Sequence, residues 1–434
     1  MKNTNPGTAP IAENNRILYL DILRGIAILF IFLANIPYLS GTYFYSEALA
    51  ASFPTANLDY SLKVFSFTLI DGKFYSIFSI LFGIGFAVQY EKLKNGNRPF
   101  VPFFTRRMLG LLLIGSIHLV FFWPGDILTT YALIGLVLIL FKDFSNRNLI
   151  CWAIVLLLLP IVHWCFMYFT DNFYPYPLFG YVSQYGAKLG LIIPETAGTK
   201  FPMYDPGAQL ATENFARWFE MQIRLPIMRL GLLLLEGRLF KILALFMIGI
   251  WAGRQILRNG LLENTALLKK ITIWGLVIGI PFSVFRSVLE FGNFNSAFYT
   301  FLSYVLYAAS VVPLACGYAA GIALIVKSRP KALKWFSPVG RTALSNYLFQ
   351  TGIGMFIFYG IGLGFTQDFG FSIVLGIAIL IFMWQIVFST LWLKFFRFGP
   401  MEWIWRQMTY SKWVAIRKKK PLPEITAESP IARS

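Results

Sequence analysis

The sequence predicts an all-α, polytopic transmembrane bundle of about ten spans, with both termini cytoplasmic. Composition is the first observation: of 434 residues, 57% are hydrophobic and 13% charged, and the mean hydropathy is +0.63. The second is spacing, because the apolar residues fall in runs of about 20, the length that crosses a hydrocarbon core. The third is charge placement: Lys and Arg collect in alternate loops between the runs, and the positive-inside rule assigns such loops to the cytoplasm.

Residues 1–16 form a polar cytoplasmic segment without a small-residue cleavage site, so the first span, about 17–39, is expected to remain as an anchor. Spans at about 72–90, 105–123, 126–142 and 148–169 complete a first group of five over residues 17–169. Lys92, Lys94, Arg98, Arg106 and Arg107 follow the second span, and Lys142 and Arg147 follow the fourth. Residues 170–238 form a long extracytoplasmic stretch, rich in Tyr, Pro and Gly at first and amphipathic from Ala208 to about Leu235. With Trp218, Phe219, Arg217, Arg224 and Arg229, that second part reads either as a helix on the outer interface or as a lid packed on the bundle.

A second group of five covers residues 239–396, at about 239–257, 271–291, 298–326, 342–363 and 371–396. Arg254, Arg258, Lys269 and Lys270 follow its first span, and Lys327, Arg329, Lys331, Lys334 and Arg341 follow its third. Residues 413–434 are a basic cytoplasmic tail, whose run Arg417-Lys-Lys-Lys420 is expected to be disordered and to touch anionic lipid. The lipid bilayer itself is the main partner. The net charge of +18 lies in these loops and this tail, so it calls for no nucleic acid. Cys151, Cys165 and Cys316 all fall within spans and give neither a disulfide framework nor a zinc site; no metal is expected. No internal repeat marks an inverted-repeat transporter.

Ionisable groups inside spans are costly, so they usually pair, line a polar cavity or mark a pathway. Asp21 and Arg24 share a face of the first span near its inner end and are expected to neutralise one another. Asn35 follows Arg24 by a rise of about 16 Å. His118 lies a comparable distance beyond Arg106 and Arg107, at similar depth. The turn Trp123-Pro-Gly-Asp126 follows at the outer surface, and Asp71 and Lys73 enter the second span from there. An outer polar cavity is therefore expected to collect Asn35, Asp71, Lys73, His118 and Asp126. His118 reads either as a proton acceptor held by a carboxylate or as a neutral imidazole bonded within the bundle. His163 reads as structural.

At the inner end, Arg341 opens a helix next to loop lysines, and helix N-termini receive anions. Phosphates of a donor such as coenzyme A fit there, although loop lysines also serve simply to set topology. Arg341, Asn346 and Gln350 recur at helical spacing. Arg286 and Glu290 read as a structural pair, Glu236, Arg238 and Lys241 as a pair or as part of the outer cavity, and Gly83 and Gly85 as close helix packing.

Five motifs carry a family resemblance: Leu20-Asp-Ile-Leu-Arg-Gly25; Gly72-Lys-Phe-Tyr through Gly83 to Ala87; His118 with Trp123-Pro-Gly-Asp-Ile-Leu128 and Tyr131-Ala132; Gly340-Arg-Thr-Ala-Leu-Ser-Asn-Tyr347; and Phe398-Gly-Pro-Met-Glu-Trp403-Ile-Trp405-Arg406 with Met408-Thr-Tyr410. With these the chain resembles the YeiB-like, or DUF418, family of bacterial inner-membrane proteins, whose C-terminal region would cover about 239–412. That family is in turn similar to the transmembrane acyltransferases, among them heparan-glucosaminide acetyltransferase and the acyltransferase-3 proteins.

The resemblance implies a multi-pass plasma-membrane enzyme that takes cytoplasmic acyl-CoA and acylates an envelope glycan or lipid at the outer face. Acyltransferase-3 proteins carry a catalytic His eleven positions after a basic residue, whereas here Arg24 is followed at that spacing by Asn35, which cannot act as a base. The base therefore moves to His118, with Asp126 orienting it. Arg24 and Arg341 would hold the acyl-CoA donor, and Asn346 would orient it. Two other functions fit the same polar residues: a proton-coupled transporter or lipid flippase, and a membrane sensor subunit.

Overall fold

The computed structural model describes residues 17–193, 203–292, 294, 296–411 and 413–418. The predicted N-terminal segment, and Lys419, Lys420 and the rest of the tail, lie outside them.

In chain order the helices are α1 (Leu18–Ser40), α2 (Glu47–Ser52), α3 (Ala56–Leu69), α4 (Lys73–Asn95), α5 (Phe100–Phe121) and α6 (Leu128–Leu138). There follow α7 (Asn146–Phe169), α8 (Tyr176–Lys188), α9 (Pro206–Ala211), α10 (Phe215–Gln222), α11 (Leu225–Leu235) and α12 (Arg238–Arg258). The last six are α13 (Thr265–Phe291), α14 (Ala297–Ser328), α15 (Ser337–Arg341), α16 (Ala343–Phe358), α17 (Phe371–Phe395) and α18 (Pro400–Tyr410). Pairing outside helices is limited, among the described residues, to two isolated bridges, Ile192 with Tyr204 and Phe396 with Arg417.

Among the described residues, eight segments are long and apolar enough to cross a membrane, the second of them joining α3 and α4 around the turn at Gly72. The chain is a multi-pass membrane protein. Two of the ten expected spans come out short. The fourth is the Leu128–Phe141 segment, because its helix starts beneath the surface at a buried Asp126. The ninth, α16, starts only after a break at Thr342. α3 was not expected: it lies against α13, where the Thr68 and Ser287 hydroxyls meet at 2.6 Å, and its Asp59 Oδ1 accepts from the Ser372 N–H at 2.7 Å, capping α17.

Backbone-to-backbone contacts through glycine set the core. Gly83 of α4 and Gly249 of α12 are so close that a Cβ on the first would stand 2.8 Å from the Cα of the second. The matched pairs Phe82 with Phe246 and Ala87 with Gly253 show the two helices running in the same direction. α1 docks on α15 in the same way: a Cβ on Gly340 would strike the Asp21 carbonyl, and one on Gly25 the Phe336 carbonyl. Such contacts let apolar helices gain packing where lipid supplies no hydrophobic drive. Of the two expected glycines, Gly83 packs helices, whereas Gly85 lines a cavity.

The stretch at 208–235 is partly packed on the bundle, while Phe215, Ile223 and Leu230 stay exposed. α10 and α11 lie against α5, with Trp218 and Met221 buried. At the other end, part of the tail expected to be disordered is built in: the Arg397 N–H donates to Ile416 O at 2.8 Å and the Lys418 N–H to Phe395 O at 3.0 Å.

Candidate active site

A cavity of about 380 Å³ opens among α1, α4, α5, α6, α15, α16 and α18. Its walls run along α1 from Ile17 to Ile31 and along α4 from Phe78 to Lys92, in each case a rise of about 21 Å. Charge is concentrated toward the end bearing the Lys/Arg-rich loops: Arg24, Lys92, Arg107, Arg341 and Arg406 stand with Asp21 and Glu402. The rest is mainly apolar and aromatic, with Ile28, Phe78, Leu81 and Phe82 leading to Tyr131, Tyr347, Ile127 and Leu128.

Several of the charges are held in place. The Arg24 Nη1 donates to Asp21 Oδ1 at 2.9 Å, as the spacing predicts, with the Arg24 side chain 30% exposed and Asp21 only 8%. Arg107 lies 3.8 Å over the Trp405 ring, while the Trp405 indole N–H donates to the Arg107 carbonyl at 2.7 Å. Glu402 reaches from α18 to the start of α16, where its Oε1 accepts from the Leu344 and Ser345 N–H groups at 2.7 and 3.1 Å and its Oε2 from the Ser345 hydroxyl. Burial pushes the Glu402 carboxyl above its usual range, and these hydrogen bonds pull against that shift.

His118 and Asp126 adjoin the deep end. His118 Nδ1 is 2.9 Å from Asp126 Oδ1 and its Nε2 is 3.0 Å from Thr351 Oγ1. The other Asp126 oxygen, Oδ2, accepts the Thr129 N–H at 2.7 Å. All three side chains are buried. An ionised carboxylate next to Nδ1 selects the tautomer with its proton on Nδ1, which leaves Nε2 as acceptor for the Thr351 hydroxyl. Tyr347, one turn before Thr351 on α16, puts its ring 5.3 Å from the imidazole and also lines the cavity. Its hydroxyl lies near the Ile127 backbone. From outside, Arg229 of α11 donates to the Asp126 carbonyl at 3.3 Å.

Three relatives of nearly the same length resemble this chain. "Uncharacterized protein YxaH" of Bacillus subtilis is 32% identical over 430 residues, covering 94% of this chain and 98% of its own. The chain belongs to the YeiB-like, DUF418 family. "Uncharacterized protein YeiB" of Escherichia coli is 29% identical over 412 residues, 91% of this chain and 96% of its own. The "Uncharacterized 39.9 kDa protein in amylase 3'region" of Bacillus acidopullulyticus is 30% identical over 418 residues, 95% and 99%. Residues 252–412 match the family model described as "Protein of unknown function (DUF418)". No solved structure matches.

Within this DUF418 chain the other expected site residues are distributed differently from the sequence reading. The N-terminus of α16 is not open to a phosphate, because Glu402 already takes its amides. Arg341 closes the short α15 and lines the cavity, but Asn346 does not share its surroundings. The Asn346 Nδ2 donates to Thr342 O, Thr342 Oγ1 and Ser389 Oγ at 3.0, 2.8 and 3.1 Å. Gln350 donates to Gln385 Oε1 at 2.9 Å, and Gln385 to the Asn346 carbonyl at 3.0 Å. Asn346 and Gln350 thus fasten α16 to α17, on a side of the helix that Arg341 does not share.

The expected outer group also divides. Asp71 pairs with Arg286 at 3.2 Å, which replaces the expected pairing of Arg286 with Glu290. Lys73, fully buried, donates to the Phe67 carbonyl at 3.2 Å. Half-buried Asn35 shares no hydrogen bond with either group among the described residues. Glu236 and Arg238 pair at 2.5 Å, and His163 bonds the Tyr174 hydroxyl at 2.9 Å. Sequence reasoning missed Thr351, Tyr347 and Arg107 as site residues. Only Tyr347, inside a quoted motif, carried a signal.

Proposed function

We propose that this DUF418 protein is a membrane acyltransferase that takes acyl-CoA from the cytoplasm and passes the acyl group to a hydroxyl or amine of an envelope glycan or lipid. The observation that carries the reading is the adjacency of two features: a charged-mouthed, apolar cavity, and a buried His118–Asp126 pair flanking its deep end. Arginines recognise phosphate oxygens well, so Arg24, Arg341 and Arg406 are the residues to hold the donor's phosphates. The apolar length beyond suits the pantetheine arm and its acyl end.

His118 then acts as general base. The Thr351 hydroxyl occupies the place that an acceptor hydroxyl takes at Nε2. On binding, the acceptor O–H gives its proton to Nε2 as its oxygen attacks the thioester carbonyl. The C–S bond breaks as the tetrahedral intermediate collapses, and the coenzyme A thiolate leaves with a proton returned from the imidazolium. Asp126 holds Nδ1–H throughout and stabilises the charged ring. The resemblance to transmembrane acyltransferases supports the same direction of transfer.

The test uses membranes holding the full chain, radiolabelled acetyl-CoA and extracted envelope material. Label should reach glycan or lipid with the wild-type chain and not with His118→Gln. Full transfer by a folded His118→Gln protein would sink the assignment.

A further inference from the structure

The opposite end of the molecule carries a second polar site. α4 and α12 run side by side in one direction, and Lys73 precedes the Gly83 contact by about as many residues as Arg238 precedes Gly249, so both N-termini lie at one level. Each is preceded by a left-handed glycine, Gly72 at φ +79° and Gly237 at φ +57°, and neither receives a side-chain cap. The Lys73 N–H already donates to the Ile70 carbonyl at 3.1 Å, while the other first-turn amides and the helix dipoles together favour an anion.

Cations surround this point. Arg238 and Arg286 are paired with Glu236 and Asp71. Lys241, one turn into α12, is 7% exposed, and its Nζ has no hydrogen-bond partner among the described residues. That Nζ lies 3.7 Å from the Tyr307 ring centre and 4.8 Å from that of Tyr75. Arg286 stands 4.5 Å from the same Tyr307 ring, with its buried Nε unpartnered as well. Aromatic faces attract a cation but leave its N–H donors unsatisfied, which is costly in a buried place.

We propose that the paired N-termini of α4 and α12, with Lys241, Arg238 and Arg286, bind a phosphate group at the outer end of the bundle. A phosphate monoester or diphosphate offers several acceptor oxygens and about two negative charges, which match the two sets of helix amides and the orphaned donors. Its source is a monoester or diphosphate headgroup of an outer-leaflet lipid or lipid-linked sugar, or free phosphate. This names the anionic class of acyl acceptor and rests on the acyl-transfer reading for that link alone; the binding site itself does not depend on it.

The experiment is thermal unfolding of the purified full chain in detergent, titrated separately with short-chain phosphatidic acid, phosphatidylcholine of the same chains, and inorganic phosphate. Phosphatidic acid should raise the transition temperature saturably and phosphatidylcholine should not. Lys241→Gln, and independently Arg238→Gln, should each weaken the apparent affinity about tenfold. An equal shift with inorganic phosphate that is lost in both variants also supports the site and assigns it a soluble ligand. No shift with the wild-type chain, or a shift retained in both variants, overturns the proposal. Coenzyme A binding measured on the same preparations reports separately on the acyl-donor cavity.

Discussion

His118 meets its two partners on opposite sides of the ring, and only one was legible in the sequence. Asp126 lies eight residues on, across the Pro124-Gly125 turn, so local geometry returns it to the histidine. Thr351 comes from 233 residues away and depends on α16 packing beside α5, which no local pattern encodes. In the proposed mechanism His118→Gln lowers transfer by about 10²- to 10⁴-fold with coenzyme A affinity unchanged. Thr351→Val should lower it less, since an acceptor hydroxyl replaces Thr351 at Nε2. A radiolabel assay comparing the two variants checks this, and an equal loss would make Thr351 itself the nucleophile.

Among the elements, the joint between α15 and α16 shows where helical spacing misleads. Even an unbroken helix turns Asn346 about 140° and Gln350 about 180° away from Arg341, and with the break at Thr342 Arg341 stands at the cavity and the two amides against α17. The break allows Gly340 to meet α1 at the Asp21 carbonyl and frees the α16 amides for Glu402. Three of the quoted motifs, around Asp21, Gly340 and Glu402, thereby become one joint. Gly340→Ala should cost about 1 to 3 kcal/mol by overpacking. Glu402→Ala leaves the Leu344 and Ser345 amides buried without an acceptor, at a similar cost of about 1 to 3 kcal/mol. Thermal unfolding in detergent measures both, and an unshifted midpoint in either variant would contradict the joint.

For the whole molecule, hydropathy and charge were legible because a bilayer imposes them on each segment separately. The all-α bundle follows from that. The α3 segment was not foreseeable as a packed element, and whether α10 and α11 pack on the bundle stayed open in the sequence, because their burial comes from distant partners such as Ser287 and Tyr359. If the basic loops are cytoplasmic, a cysteine placed at Asn97 in a chain with its own three cysteines replaced should react with an impermeant reagent only from the cytoplasmic side. One placed at Asp171 should react only from outside.

In that orientation the arginine-rich mouth faces cytoplasmic coenzyme A, where the proposed acyl-CoA donor enters. Calorimetric titration of the purified chain with coenzyme A and acetyl-CoA, repeated with Arg341→Ala, tests this entry. Saturable binding that weakens about tenfold or more in the variant is expected. A folded wild-type chain that binds neither compound, or a variant that binds as tightly as wild type, would contradict it.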